Sequence, residues 1–337
     1  MNEEWTPAPS QNLQGPSEAD ILECAESFEE ISRNVNAILV GQENVVAQVL
    51  CCLVANGHVL LEGVPGLGKT LLVRALATSI ECSTTRIQFT PDLMPSDVTG
   101  HAQYNMKEER FVIRKGPVFT NLLLADEINR APAKTQSALL EVMQERQATI
   151  EGESFLVNRP YMVLATQNPI EFEGTYPLPE AQLDRFMLNV FIDFPDFEDE
   201  VTLVDQVTTG RPTDSLDTSA IQSVATSEIV EKAQRIASEV LIDEAVLRYV
   251  VSIVRTSREY EGITNGASPR AAIAIVRVAR ALALLSGRGF VTPDDVREVA
   301  IPAMRHRIAL SPEYQIEGMS KDQILTSAIQ SVEAPRT

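Results

Sequence analysis

The most constraining feature of this sequence is an apolar stretch that leads directly into a glycine-rich loop. Residues 58–70 read His-Val-Leu-Leu-Glu-Gly-Val-Pro-Gly-Leu-Gly-Lys-Thr. Glycines let the backbone turn its N–H groups inward and approach a phosphate chain, while Lys69 adds a positive charge and Thr70 adds a hydroxyl oxygen for Mg²⁺. Residues 71–80 continue as a predicted helix, whose positive end faces the same anion. Because a strand precedes this loop and a helix follows it, the pattern predicts a site for a nucleoside triphosphate with Mg²⁺.

A second apolar strand candidate ends in two neighbouring carboxylates. Residues 121–127 read Asn-Leu-Leu-Leu-Ala-Asp-Glu and follow the glycine-rich loop along the chain. We expect Asp126 to hold Mg²⁺ through water and Glu127 to orient and polarise the attacking water, because phosphoryl transfer depends on such positioning. The alternative is a strand capped by solvated acids, and the order of the two motifs favours the catalytic interpretation.

Three further polar residues have roles that the residues alone leave open. Asn168 follows a third apolar strand candidate, where its amide is suited to bind the γ-phosphate or the attacking water. An Asn before a Pro is also common in ordinary turns. Arginine often stabilises charge on a transferring phosphoryl group, either within one subunit or from a neighbour. Arg185 and Arg270 are candidates for that role, and each is equally consistent with a surface ion pair.

Strand and helix patterns alternate up to residue 195 and then give way to helices alone. Such alternation predicts an α/β layer with a parallel sheet, whose ligands bind beyond the carboxyl ends of the strands. A stretch rich in Gly, Pro, Ser and Asp at residues 210–217 is typical of a linker. The later strand candidates are residues 86–90, 123–125, 161–166 and 188–192, and the helix candidates after the linker are 228–239, 243–260, 269–287 and 293–304.

The length of 337 residues gives room for two compact units. We predict a disordered N-terminal tail at residues 1–17, an α/β nucleotide-binding core at 18–209, a small all-α domain at 217–311 and a loose tail at 312–337 with room for one short helix. Eight acidic residues and no lysine or arginine precede Arg33. We interpret this run as a solvated helix face, with a partner-docking arm as the alternative.

Charge, cysteine spacing and hydropathy argue against several other classes of protein. The formal net charge of -19 argues against a surface built to neutralise nucleic-acid phosphates. The cysteines show no metal-ligand spacing, and the adjacent Cys51 and Cys52 lie in an apolar run that predicts buried thiols without a disulfide framework. No apolar run is long enough to span a bilayer, and no basic-then-apolar leader opens the chain. We therefore expect a soluble, cytoplasmic protein.

Several long runs resemble the AAA+ ATPases, and more closely the MoxR family. The resemblance covers about residues 20–310 and includes the lid region. The runs that carry it are Gly-Pro-Val-Phe-Thr-Asn-Leu-Leu-Leu-Ala-Asp-Glu-Ile-Asn-Arg-Ala at 116–131, Ala-Thr-Gln-Asn-Pro-Ile-Glu at 165–171, Glu-Gly-Thr-Tyr-Pro-Leu-Pro-Glu-Ala-Gln-Leu-Asp-Arg-Phe-Met at 173–187, Gly-Ala-Ser-Pro-Arg-Ala at 266–271 and Arg-His-Arg-Ile at 305–308. The resemblance implies an αβα sandwich with a five-stranded parallel sheet, followed by a small all-α lid domain.

The same resemblance implies a role for each candidate residue. Asp126 and Glu127 are similar to the Walker B carboxylates, and Asn168 is similar to sensor 1. Arg185 resembles the finger that reaches the γ-phosphate of a neighbouring subunit, and Arg270 resembles sensor 2 on the lid. The nucleotide-binding set is Gly41 and Gln42 beside the adenine, the Walker A residues Gly63, Val64, Pro65, Gly66, Leu67, Gly68, Lys69 and Thr70, the following Leu71, and also Asp126 and Arg270.

Two insertions of the family are also expected, a helix near residues 91–100 and a hairpin at about 148–158. The inserted helix can relocate the lid, so the resemblance leaves open whether Arg270 serves its own nucleotide or that of a neighbour.

By resemblance, the function is Mg²⁺-dependent hydrolysis of ATP to ADP and phosphate by a ring-forming, hexameric motor. The motor is expected to remodel or mature a client protein complex together with a von Willebrand factor A-domain partner. A chelatase-type or metal-insertion motor subunit is the alternative. A nucleic-acid motor and a nucleotide-gated scaffold that scarcely hydrolyses ATP are further alternatives, which the acidic charge and the intact Glu127 respectively disfavour.

Overall fold

The computed structural model describes residues 15–64, 66–167, 175–209 and 221–335. The first part of the chain contains α1 (Glu18–Asn36), α2 (Glu43–Val54), β1 (Val59–Glu62), α3 (Lys69–Ser79), β2 (Thr84–Gln88), α4 (Pro95–Thr99), β3 (Gly100–Asn105), β4 (Arg110–Lys115), β5 (Leu122–Asp126), α5 (Ala133–Glu145), β6 (Gln147–Ile150), β7 (Glu153–Leu156), β8 (Met162–Gln167), α6 (Glu180–Leu183), β9 (Leu188–Phe191) and α7 (Phe197–Thr208).

The second part is mainly helical. It contains α8 (Ser227–Glu239), α9 (Glu244–Thr256), β10 (Ile263–Asn265), α10 (Pro269–Leu285), α11 (Pro293–Met304), β11 (Ala309–Leu310), α12 (Pro312–Ile316) and α13 (Lys321–Gln330). Short 3-10 helices span Ile128–Arg130 after β5 and Arg305–Arg307 after α11.

A five-stranded sheet with the order β2-β5-β8-β1-β9 forms the centre of the first part. Every pairing in it is parallel. Strands of a parallel sheet are covered on both faces, which explains why β5 is a continuous apolar run. Leu122 and Leu124 pack into the core on one face, while Leu123 and Ala125 pack into the core on the other. The predicted αβα sandwich with a five-stranded parallel sheet is confirmed.

Helix α1 belongs to this core, because its apolar side chains are buried against α2, α3, α8 and α10. Ser17 begins it as an N-cap, with its hydroxyl accepting a hydrogen bond from the backbone N–H of Asp20 at 3.2 Å. Lys232 of α8 pairs with Asp20 and Glu23, each at 2.7 Å. Part of the acidic face of α1, which we expected to be solvated, is therefore tied to α8. Residues 1–14 of the predicted tail lie outside the described ranges.

Two antiparallel hairpins extend the core. The hairpin β6–β7 lies where the second insertion was expected, and α4 lies within the expected inserted helix. The hairpin β3–β4 was not predicted. Its strands mix charged and apolar residues and are largely exposed on both faces, so they lack the alternation that normally signals a strand. At its outer end Tyr104 and Phe111 stack edge to face, with ring centroids 5.3 Å apart.

Our expectation of a loose tail from residue 312 was wrong for the part of it that the structure describes. Helix α13 packs against α9 and α11, and it buries Ile324, Leu325, Ala328 and Ile329. A reciprocal cap between Ser320 and Gln323 fixes its start. The spacing of these apolar residues is helical, and their burial attaches α13 to the helical part.

No helix in the described ranges is long and apolar enough to cross a membrane.

Candidate functional site

The glycine-rich loop joins the end of β1 to the start of α3. Gly68 begins α3 in the left-handed conformation at φ 77°, and no side chain of the described residues caps the helix there. The first backbone N–H groups of a helix lack intrahelical partners, so this end is available to an anion. At Gly63, a side chain would place its Cβ 2.4 Å from the carbonyl oxygen of Ile192. The loop therefore needs glycine at this position to pass β9.

Lys69 lies in the first turn of α3, and its ammonium reaches back across the loop. Its Nζ donates a hydrogen bond to the carbonyl oxygen of Gly63 at 2.6 Å. Burial lowers the pKa of Lys69 from its ordinary value, while the negative charges of Asp126, Glu127 and Glu62 oppose that shift. An ammonium has three donors, so Lys69 has capacity to bind a phosphate oxygen as well. Thr70 follows it in the same turn and is half-buried.

Asp126 ends β5 and is held by two neighbouring strands. Thr166 of β8 donates from Oγ1 to Oδ1 of Asp126 at 2.6 Å, and Arg86 of β2 donates from Nη2 to Oδ2 at 2.7 Å. Because both oxygens are already oriented, the carboxylate is fixed before any ligand arrives. Only 17% of the Asp126 side chain is exposed. A shielded carboxylate oxygen near Lys69 is a suitable ligand for a hard cation such as Mg²⁺.

Glu127 follows in the left-handed conformation at φ 55°. That conformation costs a residue with a side chain about 1 to 2 kcal/mol, so the surroundings must maintain it. Its backbone N–H donates to Oγ1 of Thr166 at 2.8 Å. Its Oε2 accepts hydrogen bonds from Gln88 at 2.7 Å and from Arg130 at 3.0 Å. Thr166 therefore orients both carboxylate residues at once, through its hydroxyl.

Two of the predicted site residues, Pro65 and Asn168, lie outside the described residues. The segment predicted to line the adenine pocket is described. Gly41 has φ 72°, and a Cβ there would lie 2.8 Å from Asp199 and from Pro195. Gln42 is buried and donates from Nε2 to the carbonyl oxygen of Asp193 at 2.8 Å. Just before them, Leu39 packs beside the loop, since a Cβ on Gly68 would lie 2.7 Å from its Cδ1.

The two predicted arginines lie in a different place. Arg185 and Arg270 line one cleft of about 400 Å³, to which no described residue of the glycine-rich loop contributes. Asp184 organises the cleft. It accepts hydrogen bonds from Nε of Arg307 at 2.6 Å and from Oγ of Ser268 at 3.1 Å, and it lies 3.9 Å from Nε of Arg270. The structure thus brings Arg185 and Arg270 together, and it groups Lys69, Asp126 and Glu127 separately.

Sequence reasoning missed the side chains that position the carboxylates, chiefly Thr166, Arg86 and Gln88. The signal for them is the register of the sheet, in which Gln88 pairs with Asp126 and Ala165 pairs with Ala125. Polar residues at the carboxyl ends of neighbouring parallel strands meet at one edge. That edge is known only once the strand order is known.

A parallel sheet with this loop, these carboxylates and a helical lid defines an ATPase of the AAA+ class. The model of the ATPase family associated with various cellular activities (AAA) matches residues 58–188, and the AAA lid domain model matches residues 255–328. Among curated relatives, the chain is 43% identical to Chaperone MoxR1 of Mycobacterium tuberculosis over 311 residues, covering 90% of this chain and 81% of that protein. The protein belongs to the MoxR family of AAA+ ATPases.

Two further comparisons cover nearly the whole chain. The Bacillus subtilis protein YeaC is 43% identical over 302 residues, which is 90% of this chain and 93% of that protein. A crystal structure of a Cytophaga hutchinsonii protein superposes with a TM-score of 0.87 at 41% identity, covering 95% of this chain and 98% of that one.

Proposed function

We propose that this protein hydrolyses ATP to ADP and phosphate at the contact between adjacent copies of the chain in a hexameric ring. The observation that carries the proposal is the separation of two halves of a reaction centre. Lys69, Asp126 and Glu127 form one group, whereas Arg185 and Arg270 line another cleft. A head-to-tail contact brings the cleft of one subunit to the loop of the next, and repetition of such a contact closes a ring.

The residues at the loop fit a nucleotide with Mg²⁺. The uncapped start of α3 and the close approach at Gly63 suit a phosphate chain. Mg²⁺, when bound, would supply positive charge to the β- and γ-phosphate oxygens, and Thr70 and Asp126 are the residues that would hold it. Glu127 would orient the attacking water, and Asn168 would bind the γ-phosphate or that water. Gly41 and Gln42 would lie against the adenine.

The shared cleft supports a trans role for Arg270 as well as for Arg185. Asp184 precedes Arg185 and also neighbours Ser268 and Arg270 on the lid. One subunit would therefore present its finger and its lid arginine together to the neighbouring nucleotide. Loss of the γ-phosphate would weaken both contacts at once and allow the lid to move against the core. By family, we propose that this motion remodels a client complex with a von Willebrand factor A-domain partner.

A subunit-mixing experiment tests the composite site. Arg185→Ala subunits keep an intact loop, and Lys69→Ala subunits keep an intact cleft. If the site is shared, each variant alone is inactive, and a mixture regains phosphate release because some contacts join an intact loop to an intact cleft. Arg255→Ala, which removes an exposed arginine of α9 outside the cleft, is the control and should retain wild-type activity. A mixture with no more activity than the sum of its parts would refute the shared site.

A further inference from the structure

The cleft that contains Arg185 and Arg270 has more positive charge than these two arginines alone supply. Its charged lining residues are five arginines and a single carboxylate, in a protein whose formal net charge is -19. The charged residues are Arg146, Asp184, Arg185, Arg270, Arg277 and Arg307. Like charges gathered in one place repel each other, and an arriving anion relieves that repulsion. The composition of the cleft therefore indicates an anionic ligand of more than one charge.

Two of these arginines have a structural role, because they hydrogen-bond other segments of the chain. Arg307 is buried and binds Asp184 together with the carbonyl oxygen of Phe186, at 2.8 Å from Nη2. Arg146 ends α5 and donates to the carbonyl oxygens of Tyr161 and Asn56. Backbone oxygens, and for Arg307 also the Asp184 carboxylate, satisfy their guanidinium groups. Arg185, Arg270 and Arg277 remain available to a ligand.

The third available arginine, Arg277, belongs to the same helix as Arg270. It lies on α10 seven residues after Arg270, which is two helical turns, or about 10.5 Å along the axis. Both residues therefore project from the same face, and Ile273 and Ala274 between them also line the cleft. Arg277 is exposed, and no carboxylate of the described residues forms an ion pair with it. Burial lowers the pKa of Arg146, and the nearby positive charge of Arg277 makes a smaller contribution in the same direction.

We propose that Arg277 is a third arginine of the composite site and contacts the phosphate chain of the nucleotide bound to the adjacent subunit. This inference rests on the proposed function, because the nucleotide belongs to the neighbour. Arg270 and Arg277 are two turns apart on one face of α10, so their long side chains would converge on one phosphate chain. A triphosphate carries several negative charges along its length, and three guanidinium groups match it better than two.

The test compares Arg277→Ala, Arg277→Lys and the control Arg255→Ala. Arg277→Ala should lower kcat/KM for ATP by roughly 10-fold to 100-fold, the loss of one charge-assisted hydrogen bond. Arg277→Lys should lower kcat/KM for ATP less than Arg277→Ala does, and Arg255→Ala should have a kcat/KM near that of wild type. A mixture of Arg277→Ala with Lys69→Ala subunits should regain activity. Sedimentation should show normal assembly of Arg277→Ala without nucleotide and weaker stabilisation of the assembly by a non-hydrolysable ATP analogue.

The contrary outcomes separate this inference from the proposed function. If Arg185→Ala is inactive and Arg277→Ala behaves like Arg255→Ala, the shared site stands and the role of Arg277 is refuted. If Arg277→Ala weakens assembly equally with and without the analogue, Arg277 binds a protein carboxylate of the neighbour and the inference is refuted. If wild-type activity per subunit does not depend on protein concentration and Arg185→Ala is active, the proposed function itself fails.

Discussion

Arg307 donates from Nε to Oδ1 of Asp184 at 2.6 Å, and this pair joins the helical lid to the segment that carries Arg185. Arg307 follows α11, whereas Asp184 follows α6 of the core. The neighbouring His306 hydrogen-bonds the carbonyl oxygen of Phe186 at 3.0 Å. The lid and the finger segment are thus attached at consecutive residues. A displacement of the lid is expected to displace Arg185 with it.

Removing this attachment should affect both stability and turnover. Arg307→Ala leaves the Asp184 carboxylate with only Ser268 as a side-chain hydrogen-bond donor, and Arg307 itself is only 4% exposed. Breaking a buried ion pair costs about 3 kcal/mol of unfolding free energy, measurable by urea denaturation. ATP hydrolysis should fall as well, since Arg185 loses its support. The Arg255→Ala control should change stability by less than about 0.5 kcal/mol. Equal stability of the two variants would show that the pair does not secure the lid.

Glu127→Gln should separate binding from hydrolysis. The amide retains the size of the carboxylate but cannot polarise the attacking water. We expect ATP affinity near that of wild type by calorimetry, with phosphate release lowered by about 100-fold or more. Lys69→Ala is the contrasting variant, because loss of its charge should abolish binding itself. Unchanged phosphate release in Glu127→Gln would instead favour a nucleotide-gated scaffold.

Thr166→Val should weaken the binding of the Mg²⁺ that Asp126 is proposed to hold. Valine keeps the shape of the side chain but removes the hydroxyl that binds both Asp126 and Glu127. Supporting residues of this kind change metal affinity by about 10-fold or more, so half-saturation of ATP hydrolysis should need about 10-fold more Mg²⁺. Thr166→Ser keeps the hydroxyl and should follow wild type. A Mg²⁺ titration identical for the valine and serine variants would contradict this role.

The sheet and its carboxylates were predictable because their signals are local. A buried parallel strand such as β5 is a continuous apolar run, and Asp126 and Glu127 follow it directly. The role of Thr166 was not predictable, because it depends on which strand lies beside β5. The sharing of one cleft by Arg185 and Arg270 depends on how the lid docks, and the residues that fix it, Asp184 and Arg307, are distant in sequence. A local sequence pattern therefore does not predict that contact.

The error at α13 has a related cause. Ile324, Leu325, Ala328 and Ile329 follow a helical period, but a short helix is stable only where a partner covers its apolar face. The partners are α9 and α11, which are separated from α13 by intervening segments of chain. The hairpin β3–β4 is the opposite case, since its exposed strands bury too little apolar surface to produce an alternating pattern. Both outcomes were decided by tertiary packing.

His58 should make the stability of the protein depend on pH below neutrality. It is buried, with Nδ1 accepting from the backbone N–H of Val163 at 3.0 Å and Nε2 lying 3.1 Å from the carbonyl oxygen of Met143. Only the neutral ring satisfies both contacts, because a protonated Nδ1 would face an N–H group. Burial, with a smaller effect of the positive Arg146, lowers the pKa of His58 from 6.5 to about 3.

The sign of the effect follows from where the proton binds. Below pH 6.5 the unfolded chain binds a proton at His58, whereas the folded protein does not. The contribution of His58 to the free energy of unfolding is therefore fully present above pH 6.5, and it falls as the pH decreases towards about 3. From pH 6.5 to 5 the loss from this group should be about 2 kcal/mol. His58→Gln keeps a donor and an acceptor but does not titrate, so urea denaturation at the two pH values should show a smaller loss for that variant. If both proteins lose the same stability, the imidazole takes up its proton without unfolding, and the buried neutral ring is not the source of the acid sensitivity.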